Sequence, residues 1–207
     1  MTALAIDRST DVTSVALVDN DRLTASGVLD GMDARSGEWA VRLAEFLAAN
    51  GKDLKSLSRI VVGTGPGSFA GIRSALAFAQ GCAAGIGCEV LGLTSAAAYA
   101  SGEGPLAVVG DARRGLFWVA LFDGFRLVVP VFQATRETLK LRVPLSAKVV
   151  SPDSKRIGEA LKEDFEGRFD ANCGAPLASG LARAALANPA LLAPEPLPIY
   201  LNPAVRD

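Results

Sequence analysis

The sequence predicts an α/β protein in which one half-domain occurs twice. Three observations predict it. The first hundred residues read as three short strands followed by helices and strands in alternation. The stretch Ala3–Leu23 returns as Ala107–Leu127 at a constant offset of 104, without a gap. Half of the 207 residues are hydrophobic and 21% are charged, which is enough apolar material for a sizeable core.

The elements follow in order. ALAID, Ala3–Asp7, is a buried strand that ends in an acid. TSVALV, Thr13–Val18, is the second strand, Asp19-Asn20-Asp21 a turn, and Leu23–Leu29 the third strand. After a loop, Ser36 or Gly37 is placed to cap a helix over Glu38–Asn50, whose apolar residues Trp39, Leu43, Phe46 and Leu47 share one face. Gly51 stops it. RIVVG, Arg59–Gly63, is a strand, Ser68–Gly85 a helix, Glu89–Leu93 a strand and Thr94–Ala100 a short helix. The three leading strands form an antiparallel meander, and the later ones join through helical crossovers. That order, β-β-β-α-β-α-β-α, is the order of a ribonuclease-H/actin-like half-domain.

The repeat matches more than the apolar alphabet all strands share. Asp7 pairs with Asp111, Asp19 with Asp123 and Arg22 with Arg126. The fold class is therefore a duplicated ribonuclease-H/actin-like (ASKHA-type) pair of half-domains, mixed sheets with flanking helices. SGEGP, Ser101–Pro105, marks the boundary, so the halves are 1–104 and a smaller 105–207. The second half continues with a strand over Phe125–Phe132 interrupted by Pro130, a helix over Thr135–Leu141 and a strand over Ala147–Val150. A helix after Ser151-Pro152-Asp153 carries Ile157, Leu161 and Phe165, and Gly180–Asn188 is the last helix. That helix and the proline-rich tail LLAPEPLPIYLNP are expected to pack back on the first half.

Composition excludes several classes of function. A formal net charge of −1 disfavours nucleic-acid binding driven by the overall charge, leaving room only for a local basic patch. With no histidine in the chain, neither a Ser-His-Asp device nor a histidine-ligated zinc site can be built within it. Cys82, Cys88 and Cys173 fit no zinc spacing and read as free thiols of a reducing, cytoplasmic compartment. The N-terminus lacks a signal-peptide pattern, and the best apolar run, Phe69–Ile86, is broken by Arg73, Ser74 and Gln80, so no membrane segment is expected. No metal and no cofactor are expected.

GTGPGSFAGIR, Gly63–Arg73, has the look of a phosphate loop but fails both fingerprints. A Walker A loop needs Lys and Ser/Thr after the last glycine, where Ile72 and Arg73 stand. Gly65, Gly67 and Gly71 are spaced G-x-G-x-x-x-G, one residue too long for the dinucleotide motif. Free amides at a helix start still attract an anion, and the glycines otherwise serve a tight turn. Asp7, Gly65, Gly67, Ser68, Asp111 and Arg113 are the candidate nucleotide, anion or turn positions. The helix that follows is polar only at Arg73, Ser74 and Gln80, so it is covered on two sides. One cover is the sheet. The other is the helix at Trp39–Leu47 or another chain.

AIDRST, GTGPGSFAGIR, LGLTS, DARRG and PIYL, in this order over nearly the whole chain, resemble the TsaB (YeaZ-type) family. That resemblance implies a non-catalytic subunit of tRNA threonylcarbamoyladenosine biosynthesis. It implies pairing with the catalytic paralogue TsaD, joined by the ATPase TsaE, on tRNA that reaches the chain through the complex, with a homodimer when the chain is isolated. It further implies that the first two helices make the dimer contacts, which points to Trp39, Leu43, Leu47, Ile72, Arg73, Leu76, Ala79, Gln80 and Ala83. Leu76→Glu or Ala79→Arg is then expected to disrupt the interface and abolish modification while leaving the fold intact. Where TsaD carries its metal-binding histidines, this chain has Ser95 and Tyr99, so no catalytic residue is expected. Arg8-Ser9 and Ser36 depart from the residues common in that family. Two other readings stand beside it: an ATP-using enzyme of the actin/sugar-kinase superfamily with Asp7 and Asp111 at a metal, and, more weakly, a peptidase-like protein.

Overall fold

The computed structural model describes residues 1–29 and 38–201. The expected cap at Ser36 or Gly37 lies outside them. The chain divides into two compact units, Met1–Ala98 with Pro176–Ile199, and a second centred on Tyr99–Ala175.

The first unit is a five-stranded sheet. Its strands are β1 (Thr2–Asp7), β2 (Ser14–Asp19), β3 (Arg22–Val28), β4 (Arg59–Gly63) and β5 (Glu89–Leu93), in the spatial order β3-β2-β1-β4-β5. β1, β2 and β3 pair antiparallel, and β1–β4 and β4–β5 pair parallel, as the meander-then-crossover reading requires. The crossovers are helices α1 (Glu38–Ala49) and α2 (Phe69–Ile86). Alternation along the strands sends Leu4, Ile6, Val15, Leu17, Ile60 and Val62 to the face these helices cover. There they meet Trp39, Leu43 and Leu47 of α1 and Ile72, Ala75, Leu76 and Ala79 of α2. Among the described residues, α2 is the one helix long and apolar enough to cross a membrane by length and composition. Its buried residues Gly71, Ile72, Ala75, Leu76 and Ala79 line the side turned to the core, and Phe78 meets Trp39 of α1.

The opposite face carries small residues. Ala3, Ala5 and Val61 look toward a helix from the far end of the chain, Ala178–Ala187, with a cavity of about 450 Å³ between them lined also by Ala182, Ala185 and Leu186. Ala178 donates its backbone N–H to Ser14 Oγ at 2.8 Å. Gly180 permits the approach: a Cβ there would stand 2.1 Å from the Ala98 carbonyl oxygen. The tail beyond this helix adds to the first unit as well. Ala193 bridges Gly92 of β5, and the Ile199 N–H reaches the Thr64 carbonyl, so the tail pairs along the open edge of the sheet.

The second unit repeats the scheme with β6 (Pro105–Arg113), β7 (Leu116–Asp123), β8 (Arg126–Ala134) and β9 (Lys148–Val150), in the order β8-β7-β6-β9. β6 and β7 pair antiparallel and β6 and β9 parallel, as β1 does with β2 and β4. Helices α3 (Arg136–Arg142) and α4 (Ser154–Asp164) cover a core of Val109, Val119, Leu121, Leu139, Val149, Leu161 and Phe165. The last helix, Ala178–Ala187, is α5. Two local expectations change. β8 runs through Pro130, because it is an edge strand where a missing N–H is tolerated, and the β7–β8 register shifts nearby. The expected helix at Thr94–Ala100 is a 3₁₀ turn over Ser95–Tyr99.

Candidate functional site

The glycine stretch lies where β4 turns into α2. Ser68 caps α2, its Oγ accepting the Gly71 N–H at 3.2 Å. The site an anion would take at this helix start is occupied from within. The Ser68 N–H donates to the Ser9 carbonyl at 2.6 Å. A Cβ on Gly67 would sit 1.9 Å from that same oxygen, and one on Gly71 2.1 Å from the Arg8 carbonyl oxygen. The glycines are therefore needed so that the Arg8-Ser9 backbone can lie against the start of α2. Gly65, at φ +90°, makes the turn itself, and Thr94 and Ser95 hold it: the Thr94 hydroxyl and Ser95 N–H donate to the Gly65 carbonyl, and Ser95 Oγ accepts the Gly65 N–H.

Asp7 ends β1 beside this turn. Its Oδ1 accepts the Ser9 N–H at 2.9 Å and the Ser9 hydroxyl at 2.7 Å. Its Oδ2 is buried with no hydrogen-bond partner among the described residues, packed where a Cβ on Gly63 would come within 2.0 Å. Burial pushes the carboxyl above its ordinary range, against the opposing pull of Ser95 and Ser9. The neighbouring Arg8 runs to the other face of the sheet, where it is fully buried. Its Nε donates to Thr13 Oγ1 and its Nη1 to Ser74 Oγ, and the guanidinium stacks 4.5 Å from the Trp39 ring. Trp39 Nε1 donates to the same Ser74 oxygen, which ties β1, α1 and α2 together. This residue, a departure from the resembled family, is structural here.

Asp111 does not reproduce Asp7. Its Oδ1 accepts the Arg113 N–H and its Oδ2 meets the guanidinium groups of Arg113 and Arg156 at 3.3 and 3.4 Å. The Asp111 N–H donates to Asp153 Oδ2. Asp7 and Asp111 lie in different units, and each is engaged within its own. Of the positions where the resemblance places histidines in the paralogue, Ser95 is buried against the glycine turn, and Tyr99 donates its hydroxyl to the Gly174 carbonyl. Among the described residues no group of three or more His, Cys, Asp or Glu is placed to hold a metal.

The structure divides the expected partner contacts. Trp39, Leu43, Leu47, Ile72, Leu76 and Ala79 are spent on the core of the first unit, and Trp39 packs edge-on against Phe78 with ring centroids 5.0 Å apart. A side chain at 0–5% exposure is closed to a docking partner, so Leu76→Glu or Ala79→Arg would break the fold before it tested any contact. Ala83 is half-buried, and Arg73 and Gln80 are exposed. The open face of α2 is Phe69, Ala70, Arg73, Ala77, Gln80, Gly81 and Ala84, and α1 adds Val41 at 61% exposure. The set read from the sequence does not include Phe69, Ala70, Ala77, Gly81 and Ala84, which share this open face. The signal was the stripe joining Arg73 and Gln80: residues at i, i+4, i+7 and i+11 from Arg73 share it.

Comparison with known proteins agrees with this geometry. The model of the family described as TsaD, tRNA N6-adenosine threonylcarbamoyltransferase, matches residues 37–186. An uncharacterized protein of Mycobacterium tuberculosis is 34% identical over 142 residues, 66% of either chain. The Escherichia coli tRNA threonylcarbamoyladenosine biosynthesis protein TsaB is 30% identical over 125 residues, 57% of this chain and 54% of that one. The chain thus spans about half to two thirds of the curated relatives it matches. YeaZ from Pseudomonas aeruginosa superposes with a TM-score of 0.77 at 24% identity, over 96% of this chain and 100% of that one, which establishes the shared fold. A family match over most of the chain leads to one assignment, with TsaB among the relatives and YeaZ sharing the fold: the chain belongs to the family that the TsaD model describes.

Proposed function

We propose that this chain is a non-catalytic subunit of the cytoplasmic assembly that transfers a threonylcarbamoyl group to N6 of adenosine 37 in tRNAs reading ANN codons. It acts by pairing with a TsaD-like catalytic subunit, which a TsaE-like ATPase joins, and it pairs with itself when alone. The observation that carries this reading is the contrast between the two ends of the first unit. The anion position at the glycine turn is filled by the Ser9 carbonyl and Asp7 is sealed off, whereas α2 presents an open face of small and apolar residues. Small side chains let a partner helix approach closely, and their burial is favourable at about 25 cal/mol per Å². The contact residues on this reading are Ala70, Arg73, Ala77, Gln80, Gly81 and Ala84.

Co-purification with the TsaD-like protein of the same organism tests it. Ala77→Glu and Ala84→Arg are on the surface, so their effect on stability is expected within about 0.5 kcal/mol. Both are expected to abolish the complex and tRNA modification while circular dichroism stays unchanged. A complex retained by both variants would show that the open α2 face is not the interface. Absence of any complex with the unaltered chain would overturn the function. Calorimetry with Mg-ATP on the isolated chain separates the kinase-like reading, which requires binding and turnover.

A further inference from the structure

The β6–β7 turn is built against its own backbone preference. Arg113, Arg114 and Gly115 have φ of 69°, 55° and 75°, consecutive residues in the left-handed region. That region suits Gly, Asn and Asp, and costs an arginine side chain strain. Elsewhere the chain meets the same demand with the expected residues: Asn20 and Asp21 in the β2–β3 turn, Gly124 in the β7–β8 turn. Residues held in this region against their preference cluster at functional sites.

The duplication shows what is different here. At the offset of 104, Arg113 and Arg114 correspond to Ser9 and Thr10. In the first unit that loop is packed down, with the Ser9 carbonyl held at the start of α2 and the Asp7 carboxylate buried beneath. In the second unit β9 leads into Ser151-Pro152-Asp153 and α4, with no glycine turn to receive the loop. The hairpin tip instead stands in solvent. Arg113 is 65% exposed in its side chain, and Arg114 is exposed and has no ion pair among the described residues.

Charges around the tip are unequal. Asp111 is engaged by Arg113 and Arg156, and Asp153 by Arg156. Arg114 at the tip and Lys155 in the first turn of α4, next in sequence to Arg156, are exposed and have no ion pair among the described residues. In a chain of net charge −1 this is a local basic patch. A planar guanidinium presents several donors in a fork that matches phosphate oxygens, and two in succession span neighbouring phosphates of a strand.

We infer that the Arg113-Arg114 hairpin tip is a contact for the RNA phosphate backbone, made by this chain itself. The inference rests on the proposed role in tRNA modification and adds a direct contact to it. The contact is sequence-independent, because it reaches phosphates and not base edges.

The test is binding of an unmodified tRNA transcript to the full-length chain across a range of salt concentrations. The variant R113N/R114G removes both charges and supplies residues that favour the turn, so a loss of binding cannot be a loss of folding. It is expected to bind more weakly at every salt concentration, with the log–log salt slope smaller by about two. R113K/R114K keeps the charge and is expected to keep most of the slope. A wild-type slope in R113N/R114G, or no measurable tRNA binding by the unaltered chain, overturns the inference. Displacement of tRNA by polyglutamate at equal charge concentration would assign the tip to an acidic protein surface and also overturn it. Co-purification of R113N/R114G with the catalytic subunit is read separately. Lost pairing in the unaltered chain is a failure of the proposed function, whereas retained pairing with an unchanged salt slope is a failure of this contact alone.

Discussion

Asp7 is a carboxyl group in a place that does not favour its charge. Oδ1 has two donors from Ser9, Oδ2 has none among the described residues, and the next residue in sequence, Arg8, turns its guanidinium to Trp39 and Ser74. Burial therefore raises the folded pKa above the unfolded value of about 3.9. The folded state then holds its proton to higher pH than the unfolded state does. Asp7 costs nothing below the unfolded pKa, and stability falls as pH rises from there through the raised folded pKa. Asp7→Asn removes the titration and keeps an acceptor for Ser9. Its stability relative to the unaltered chain is expected to increase as pH rises above the unfolded pKa and to level off once the raised folded pKa is passed, read by urea unfolding at each pH. A difference independent of pH would show that Asp7 is ionised throughout. Little of this was legible beforehand. The sequence marked Asp7 as an acid at a strand end, but the absence of a donor for Oδ2 depends on Gly63 and Ser95, which arrive from β4 and the turn after β5.

At the scale of elements, α2 shows the same residue type serving opposite purposes. Gly71 faces the Arg8 carbonyl, while Gly81 has nothing within 4 Å of where its Cβ would be. A glycine inside a helix costs about 0.5–1 kcal/mol relative to alanine, so Gly81→Ala in the isolated chain should stabilise it by about that amount. Gly71→Ala gains the same propensity but drives a methyl into backbone that cannot swing aside. The expected result is a net loss of about 1–3 kcal/mol, measured by the same denaturation experiment. Equal effects at the two sites would show that the Arg8-Ser9 loop is not held against α2. The helix itself was legible, since a strand, a glycine turn and a long apolar run are local signals. Which glycine meets backbone was not, because that contact joins residues more than sixty positions apart in sequence.

At the scale of the molecule, α5 completes the first unit from the far end of the chain. It covers Ala3, Ala5 and Val61, and its start is bonded to Ser14. Truncation after Ala175 would leave that sheet face bare and the β5 edge without its partner Ala193. The truncated chain is expected to bind a hydrophobic dye strongly and to lose cooperative unfolding. A native-like transition would show that α5 is dispensable to the first unit. The partner reading belongs to this scale as well, since a contact face is whatever the core has not already used.

What the sequence determined by itself is the list and order of elements, the duplication and the family. These rest on periodicity, turn residues and motif spacing, all written in neighbouring residues. The tertiary structure decided which apolar residues of α1 and α2 are core and which are open, and that the phosphate-like glycine turn is filled by the Ser9 carbonyl. It also decided that Asp7 and its repeat Asp111 have different fates. An apolar helix position reads the same whether it meets a sheet or a partner, and an acid reads the same with or without a buried donor. Only the folded chain brings the distant groups together that separate these cases.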